Sequence, residues 1–326
     1  MWILVLMMLA TTPASRSAFY ANSFERTPAP SQLTAIGKAA FFDRSLSRRG
    51  LACATCHDPA RAFSSDELRR GTRVPPTLRY LASTPRFTMH AIDAETGADN
   101  GPTGGFMWDG RAQSLHDQAR MPLFNPVEMA NRSEDALAGK LRLAAYADDM
   151  RAAFGPHVLD RGETAVKALV LALEVYEQDP ATFAPFTSRY DDVLRGKATL
   201  TPREAHGKQV FDDPARGNCA SCHPDTMEHG FPVLTDFGYA DLGLPQHGDS
   251  GLGNKFKTPT LRNVGRKHRF MHDGSLRSLR EVVRFYAGRV PRAERPTVEQ
   301  GPPFSAHLTD AEIEDLVAFL RTLDDA

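Results

Sequence analysis

The four cysteines of the 326-residue chain form two Cys-x-x-Cys pairs, each followed at once by histidine: Cys53-Ala-Thr-Cys56-His57 and Cys219-Ala-Ser-Cys222-His223. Two thiols one helical turn apart can form thioethers to the two vinyl groups of one porphyrin. The imidazole that follows is then held beneath the iron as proximal ligand. A redox disulfide in an exported protein, or a four-cysteine zinc site built from both pairs, are the competing chemistries. Neither requires the histidine, and the pattern occurs twice with no cysteine to spare. The reading is two covalently bound haem c groups, attached at Cys53, Cys56, Cys219 and Cys222 and ligated by His57 and His223.

The elements that must position these motifs also come twice. Before the first pair, Leu33, Ile36, Ala40 and Phe41 fall at helical spacing; before the second, Thr201-Pro202-Arg203-Glu204 is a capping box with proline at the first helical position. The repeat is a whole domain long, not the short period of a solenoid. Val166, Leu169, Val170 and Leu173 predict a helix with one buried face that stops at Asp179-Pro180. Two further capping boxes, Ser278/Glu281 and Thr309/Glu312, open helices near the C-terminus, the first turning Val282, Phe285 and Tyr286 inward and the second Ile313, Leu316, Val317 and Leu320. Alternating β-branched runs are absent, and Gly and Pro gather in 97–105 and 230–260. The expected fold is mainly α: two cytochrome c-like haem domains, 19–190 and 191–326, joined by loops long enough to wrap a large prosthetic group.

Composition narrows the partners. Lys and Arg number 39 against 40 Asp and Glu, so no overall field draws the chain to nucleic acid or an anionic membrane. Residues 1–18 pair an apolar run too short to span a bilayer with a small, polar stretch, and read as a signal peptide cleaved near Ala18. An uncleaved anchor or a mis-set start codon is the other reading. Export to the periplasm, with no membrane span after signal removal, is the expectation. The glycine-rich Gly101-Pro-Thr-Gly104-Gly105 lacks the Lys-Ser/Thr and helix start of a phosphate loop.

Several segments stand in the order found in the bacterial di-haem cytochrome c peroxidase/MauG family. They are Gly37 to Asp43, Cys53 to Pro59, Phe106-Met-Trp108-Asp109-Gly110-Arg111, Pro122-Leu-Phe-Asn125-Pro126-Val-Glu128-Met129, Thr258 to Asn263 and His272-Asp273-Gly274. The chain resembles that family over nearly its whole mature length. The resemblance implies that the N-terminal haem reacts with hydrogen peroxide and the C-terminal haem handles electrons. It makes Glu128 the distal acid/base, Gln118 the neighbouring distal amide and Trp108 a relay between the haems. A carboxylate that shuttles a proton between the peroxide oxygens contributes roughly 10²–10⁴ in rate. Solvated loop residues at 118 and 128, and a merely packed Trp108, are the bland readings of the same positions.

Many family members carry a removable distal histidine after the first motif, whereas Ser64 to Val74 has none; Met89 and His90 are the next candidates to fold over that iron. The first haem is therefore expected to be five-coordinate or water-bound as made. For the second, Met271, Tyr286, His268 and His272 are candidates for the sixth ligand, and the resemblance puts Tyr286 where classical peroxidases have methionine and MauG-like enzymes tyrosine. The family often holds calcium with an Asn just before its Pro-Thr segment; Val74 stands there, which leaves calcium with weak support. Three functions follow: a peroxidase fed by a small donor protein such as a cytochrome c or cupredoxin, a MauG-like enzyme that oxidises residues of a protein substrate, and a non-catalytic electron-transfer cytochrome.

Overall fold

The computed structural model describes residues 23–66, 73–227, 230–244, 252–288 and 307–326. The proposed signal peptide, 1–18, lies outside them, as does part of the histidine-free stretch after His57. Among the described residues no helix is long and apolar enough to cross a membrane.

Helix α1 (Pro30–Phe42) begins with proline at its first turn and buries Leu33, Ile36, Gly37, Ala40 and Phe41. A four-residue helix α2 (Cys53–Cys56) follows, then α3 (Leu115–Phe124), α4 (Glu134–Leu141), α5 (Ala147–Phe154) and α6 (Gly162–Glu177). Helix α6 runs longer than its apolar pattern at both ends, and Pro180 opens the next helix, α7 (Pro180–Phe183). The second half contributes α8 (Arg189–Leu194), α9 (Pro202–Asp212), α10 (Leu279–Tyr286) and α11 (Asp310–Arg321). The predicted capping boxes at Thr201/Glu204 and Thr309/Glu312 are both formed.

Among the described residues two large apolar cores form, with a small third cluster of Phe106, Ala112 and Leu115. One gathers Leu33 through Phe183 around α1 and α6, the other Tyr190 through Leu323 around α9 and α11. Each core is centred on a helix crossing that only glycine permits. A Cβ on Gly37 would lie 2.0 Å from the Ala172 carbonyl of α6, and one on Gly207 would lie 2.0 Å from the Asp315 carbonyl of α11. The duplication is thus visible in three dimensions: Gly37 and Phe41 recur as Gly207 and Phe211, with both phenylalanines fully buried.

The halves meet at a buried carboxylate. Tyr80 donates to both oxygens of Asp325, at 2.7 and 2.8 Å, Arg79 to Oδ2 at 2.6 Å and Asn263 to Oδ2 at 2.6 Å. Beside it, Arg262 makes a bidentate pair with Asp191 at 2.9 and 3.0 Å and lies against the rings of Tyr80 and Phe186.

Two expectations need correction. A short antiparallel ribbon, β1 (Tyr239–Asp241) with β2 (Lys255–Lys257), pairs Ala240 with Phe256 inside the loop region where no strand was expected; three residues are too few to show alternation. In α10 Phe285 is buried as expected and Val282 packs partly against the second core, but Leu279 and Val283 are buried more deeply than Val282 and Tyr286, which are half-buried. Ser278 caps this helix by accepting from the Glu281 N–H, but the Glu281 carboxylate takes the N–H of Arg277 at 2.6 Å, leaving the box half made.

Replacing Gly37 by Ala should destabilise the first half by about 1–3 kcal/mol through overpacking of α1 on α6. Denaturant unfolding checks this, and an unchanged midpoint would show that the crossing can open without cost.

Candidate functional site

His57 caps α2, and its Nδ1 lies 3.0 Å from the Phe63 carbonyl. A carbonyl oxygen only accepts, so Nδ1 carries the hydrogen and Nε2 keeps its lone pair for a metal. His223 repeats the arrangement with its Nδ1 2.8 Å from the Leu234 carbonyl. Burial lowers both imidazoles, His57 to about 4, so each is neutral near pH 7. The thiols move the other way. Burial lifts Cys53 to about 12, with Glu177 adding to it, and lifts Cys219 to about 12, with Asp212 adding; Cys222 is raised by burial and Asp236.

Redox and metal-binding cysteines need a depressed pKa. Cys53, Cys219 and Cys222 have the opposite, and none of the four cysteines is in a disulfide. Among the described residues no three His, Cys, Asp or Glu side chains converge where an ion could sit, so the zinc alternative fails on geometry. An imidazole whose Nδ1 donates to a carbonyl, beside two cysteines outside any disulfide, fits covalent haem attachment at both places.

Cys53, Cys56 and His57 line a cavity of about 420 Å³, a size usual for cofactor sites. Its wall also contains Gln118, Glu128, Trp108 and, from the second half of the chain, Thr235, Phe237 and Lys257 to Thr260. Gln118 is one turn into α3, which Ser114 caps by accepting from the Asp117 N–H at 3.1 Å. The helix ends at Asn125, whose side chain accepts from the Val127 N–H at 3.1 Å and whose carbonyl accepts from the N–H of Glu128 and Ala130 at 3.0 Å each. This turn presents the half-buried Glu128 to the cavity. The structure thus brings together the residues that the resemblance singled out around His57.

Trp108 lies where segments from both halves touch. Its indole Nε1 donates to the Val74 carbonyl at 2.8 Å, its own carbonyl accepts from Lys257 at 2.8 Å, and the Val74 N–H donates to the His272 carbonyl at 2.9 Å. The following turn is fixed by buried Asp109, which accepts from Arg73 at 2.9 Å and Arg111 at 2.5 Å. Gly110, at φ 70°, leaves no room for a Cβ beside Tyr239.

Met89 and His90 are not part of the cavity wall. Met89 is 49% exposed, and the exposed His90 pairs through Nδ1 with Asp99 at 2.6 Å. His57 is the one histidine among the described lining residues.

At the second motif, Tyr286 ends α10 near Cys219 and Cys222: burial, then these two thiols, push its phenol above the ordinary value. Met271 is half-buried in a positive-φ turn closed by the Phe270–Leu276 hydrogen bond. His268 is exposed, and buried His272 stacks on Phe256 at 3.6 Å. The nearness of Tyr286 to the attachment cysteines sets it apart from these two histidines.

Sequence reasoning missed two groups in the first cavity. Lys257 donates to the Gly105 carbonyl at 2.5 Å, and burial lowers it to about 8. Glu177 is buried at the end of α6. Lys257 stood one residue before a segment already noticed; nothing in the local pattern marks Glu177.

Fold and site together define a c-type cytochrome with two haem-attachment motifs. The family model for di-haem cytochrome c peroxidase matches residues 31–199, and that for cytochrome c matches 204–324. Methylamine utilization protein MauG of Paracoccus denitrificans is 35% identical over 91% of this chain and 90% of its own length, and cytochrome c551 peroxidase of Nitrosomonas europaea is 25% identical over 91% and 81%. The crystal structure of the diheme peroxidase BthA from Burkholderia thailandensis superposes with a TM-score of 0.78 at 34% identity, covering 92% of this chain and 87% of that one. The chain belongs to the di-haem cytochrome c peroxidase family, whose members are haem oxidoreductases, and it carries two covalently bound haem c groups.

The ferric holoprotein should show one high-spin and one low-spin haem with no reductant added. Two low-spin haems, one turning high-spin only on partial reduction, would mean that a side chain does cover the first iron.

Proposed function

We propose that this chain reduces hydrogen peroxide at the N-terminal site with electrons delivered through the C-terminal one, H₂O₂ + 2e⁻ + 2H⁺ giving two waters. The observation that carries this reading is the convergence of Glu128 and Gln118 with His57 on a single cavity. Bound haem supplies the iron and the electrons that cleave the O–O bond. Glu128 takes the proton from one peroxide oxygen and returns it to the leaving one, while the Gln118 amide donates a hydrogen bond that orients the peroxide. His57, its Nδ1 held by the Phe63 carbonyl, would hold the iron of bound haem. Trp108, spanning the two halves by hydrogen bonds, passes electrons between the sites. The donor is a small redox protein, a cytochrome c or cupredoxin, met in the periplasm.

A second reading is favoured by Tyr286. A phenolate oxygen stabilises oxidised iron where a thioether stabilises reduced iron, so tyrosine ligation would suit a MauG-like enzyme that oxidises residues of a partner protein. The likeness to MauG of Paracoccus denitrificans supports it as well. The non-catalytic cytochrome reading has no use for Glu128 and Gln118 in the same cavity.

Glu128→Gln should keep both haems attached yet slow the reaction with peroxide at least tenfold in stopped-flow measurements, within the range for a lost general acid/base; equal rates would remove Glu128 from the mechanism. Tyr286→Met should raise the potential of the second haem in a redox titration. A sulfur-to-iron charge-transfer band in the unmodified protein, abolished by Met271→Ala, would give the ligand role to Met271.

A further inference from the structure

Among the buried ionisable groups, Glu177 has no part in the chemistry above. It is 3% exposed, its Oε2 has no hydrogen-bond partner, and it lines the same cavity as Cys53, His57 and Gln118. An ionised carboxylate left so is costly, whereas the neutral acid is tolerated, so its protonation responds to the charge in the cavity. One turn back on α6, Glu174 is 4% exposed and accepts from Nδ1 of His116 at 2.7 Å. His116, on α3, is 17% exposed at its side chain and has Asp117 3.8 Å from its Nε2. These groups form a row from solvent at His116, through Glu174, to Glu177 at the cavity wall.

Across the same cavity stand Arg73, Asp109, Arg111, Glu128 and Lys257, and α3 carries Asp117 and Arg120 beside His116. The buried residues of α1 are Leu33, Ile36, Gly37, Ala40 and Phe41, and those of α4 are Leu137, Ala138 and Leu141, none of them ionisable. On α6 and just beyond it, Tyr176 and Asp179 are titratable neighbours of Glu177. From α2 comes the Cys53 thiol, which as a thioether carries no charge.

We propose that Glu177 is the redox-linked proton-binding residue of the first haem site, protonated through His116 and Glu174 when that haem gains an electron and deprotonated when it loses one. The step balances: ferric haem, one electron from the donor, one solvent proton and the Glu177 carboxylate give ferrous haem and the Glu177 carboxylic acid. The ferric site, with one more positive charge, favours the carboxylate, so the carboxyl releases its proton more readily in the oxidised than in the reduced protein. Burial, and after it the charge of Glu174, raise Glu177 to about 8, close enough to neutrality for the exchange to operate. The proposal rests on haem being held at Cys53, Cys56 and His57 and is independent of the role of Glu128.

An equilibrium redox titration of the holoprotein, followed optically at the first haem from about pH 6 to pH 9, tests it. In the unmodified protein the potential should fall as pH rises, approaching one proton per electron. Glu177→Gln should flatten that slope with two haems and the His57-ligated spectrum retained, and Glu174→Gln should move the sloping window to lower pH. The same slope and window in Glu177→Gln would overturn the proposal. Should that variant fail to bind haem, infrared difference spectra of the unmodified protein decide: a protonated-carboxyl band appearing on reduction, with its pH dependence shifted down in Glu174→Gln, is expected, and no such band would overturn it. A normal Glu177 response beside an inert Glu128→Gln comparison would reject the peroxide reading alone.

Discussion

The relation between the two haem sites depends on the carboxylate of Asp325. It is 2% exposed, yet it is satisfied from both halves: Arg79 and Tyr80 from the first, the Thr187 N–H from the connection, and Asn263 from the second. Burial works to raise its pKa, and the hydrogen bonds from Asn263, Tyr80 and Thr187 outweigh that and hold it below the usual carboxylate range. The adjoining Arg262–Asp191 pair has no exposed side-chain surface at all. A buried charge pair adds little net stability against an apolar substitute, but losing one partner is severe, so such a joint fixes geometry. Fixed geometry is what electron exchange between two attached cofactors demands, and it also keeps Thr235, Phe237 and Lys257 in the wall of a cavity whose motif belongs to the other half.

Inside each half the plan is simpler. A glycine lets two helices touch backbone to backbone, and the attachment motif lies beside that crossing. In both, a carbonyl fixes the tautomer of the motif's histidine, and burial lowers the imidazole while raising the first thiol of the motif.

Much of this was legible in the residues. Cys-x-x-Cys-His is a local pattern, so its chemistry survives any fold, and the capped helices at Thr201 and Thr309 declare themselves within four residues. The placing of Glu128 and Gln118 came from a resemblance and not from spacing. What stayed hidden is long-range. Glu177 and Asp325 look like ordinary acidic residues at the end of a helix and near the end of the sequence, and only packing makes them buried. In α10 the second core takes Leu279 and Val283, with Val282 packed partly against it, a choice made by contacts outside the helix's own eight residues.

The hydrogen bond from the Trp108 indole to the Val74 carbonyl has a consequence for how charge could dwell there. An indole that loses an electron becomes a strong acid at its nitrogen, and its fate depends on what stands opposite. A carboxylate or water would carry the proton off and leave a neutral radical, trapped until a proton returns. An amide carbonyl is too weak a base to keep the proton, so it stays with the indole, and a vacancy on Trp108 can be refilled by electron transfer alone.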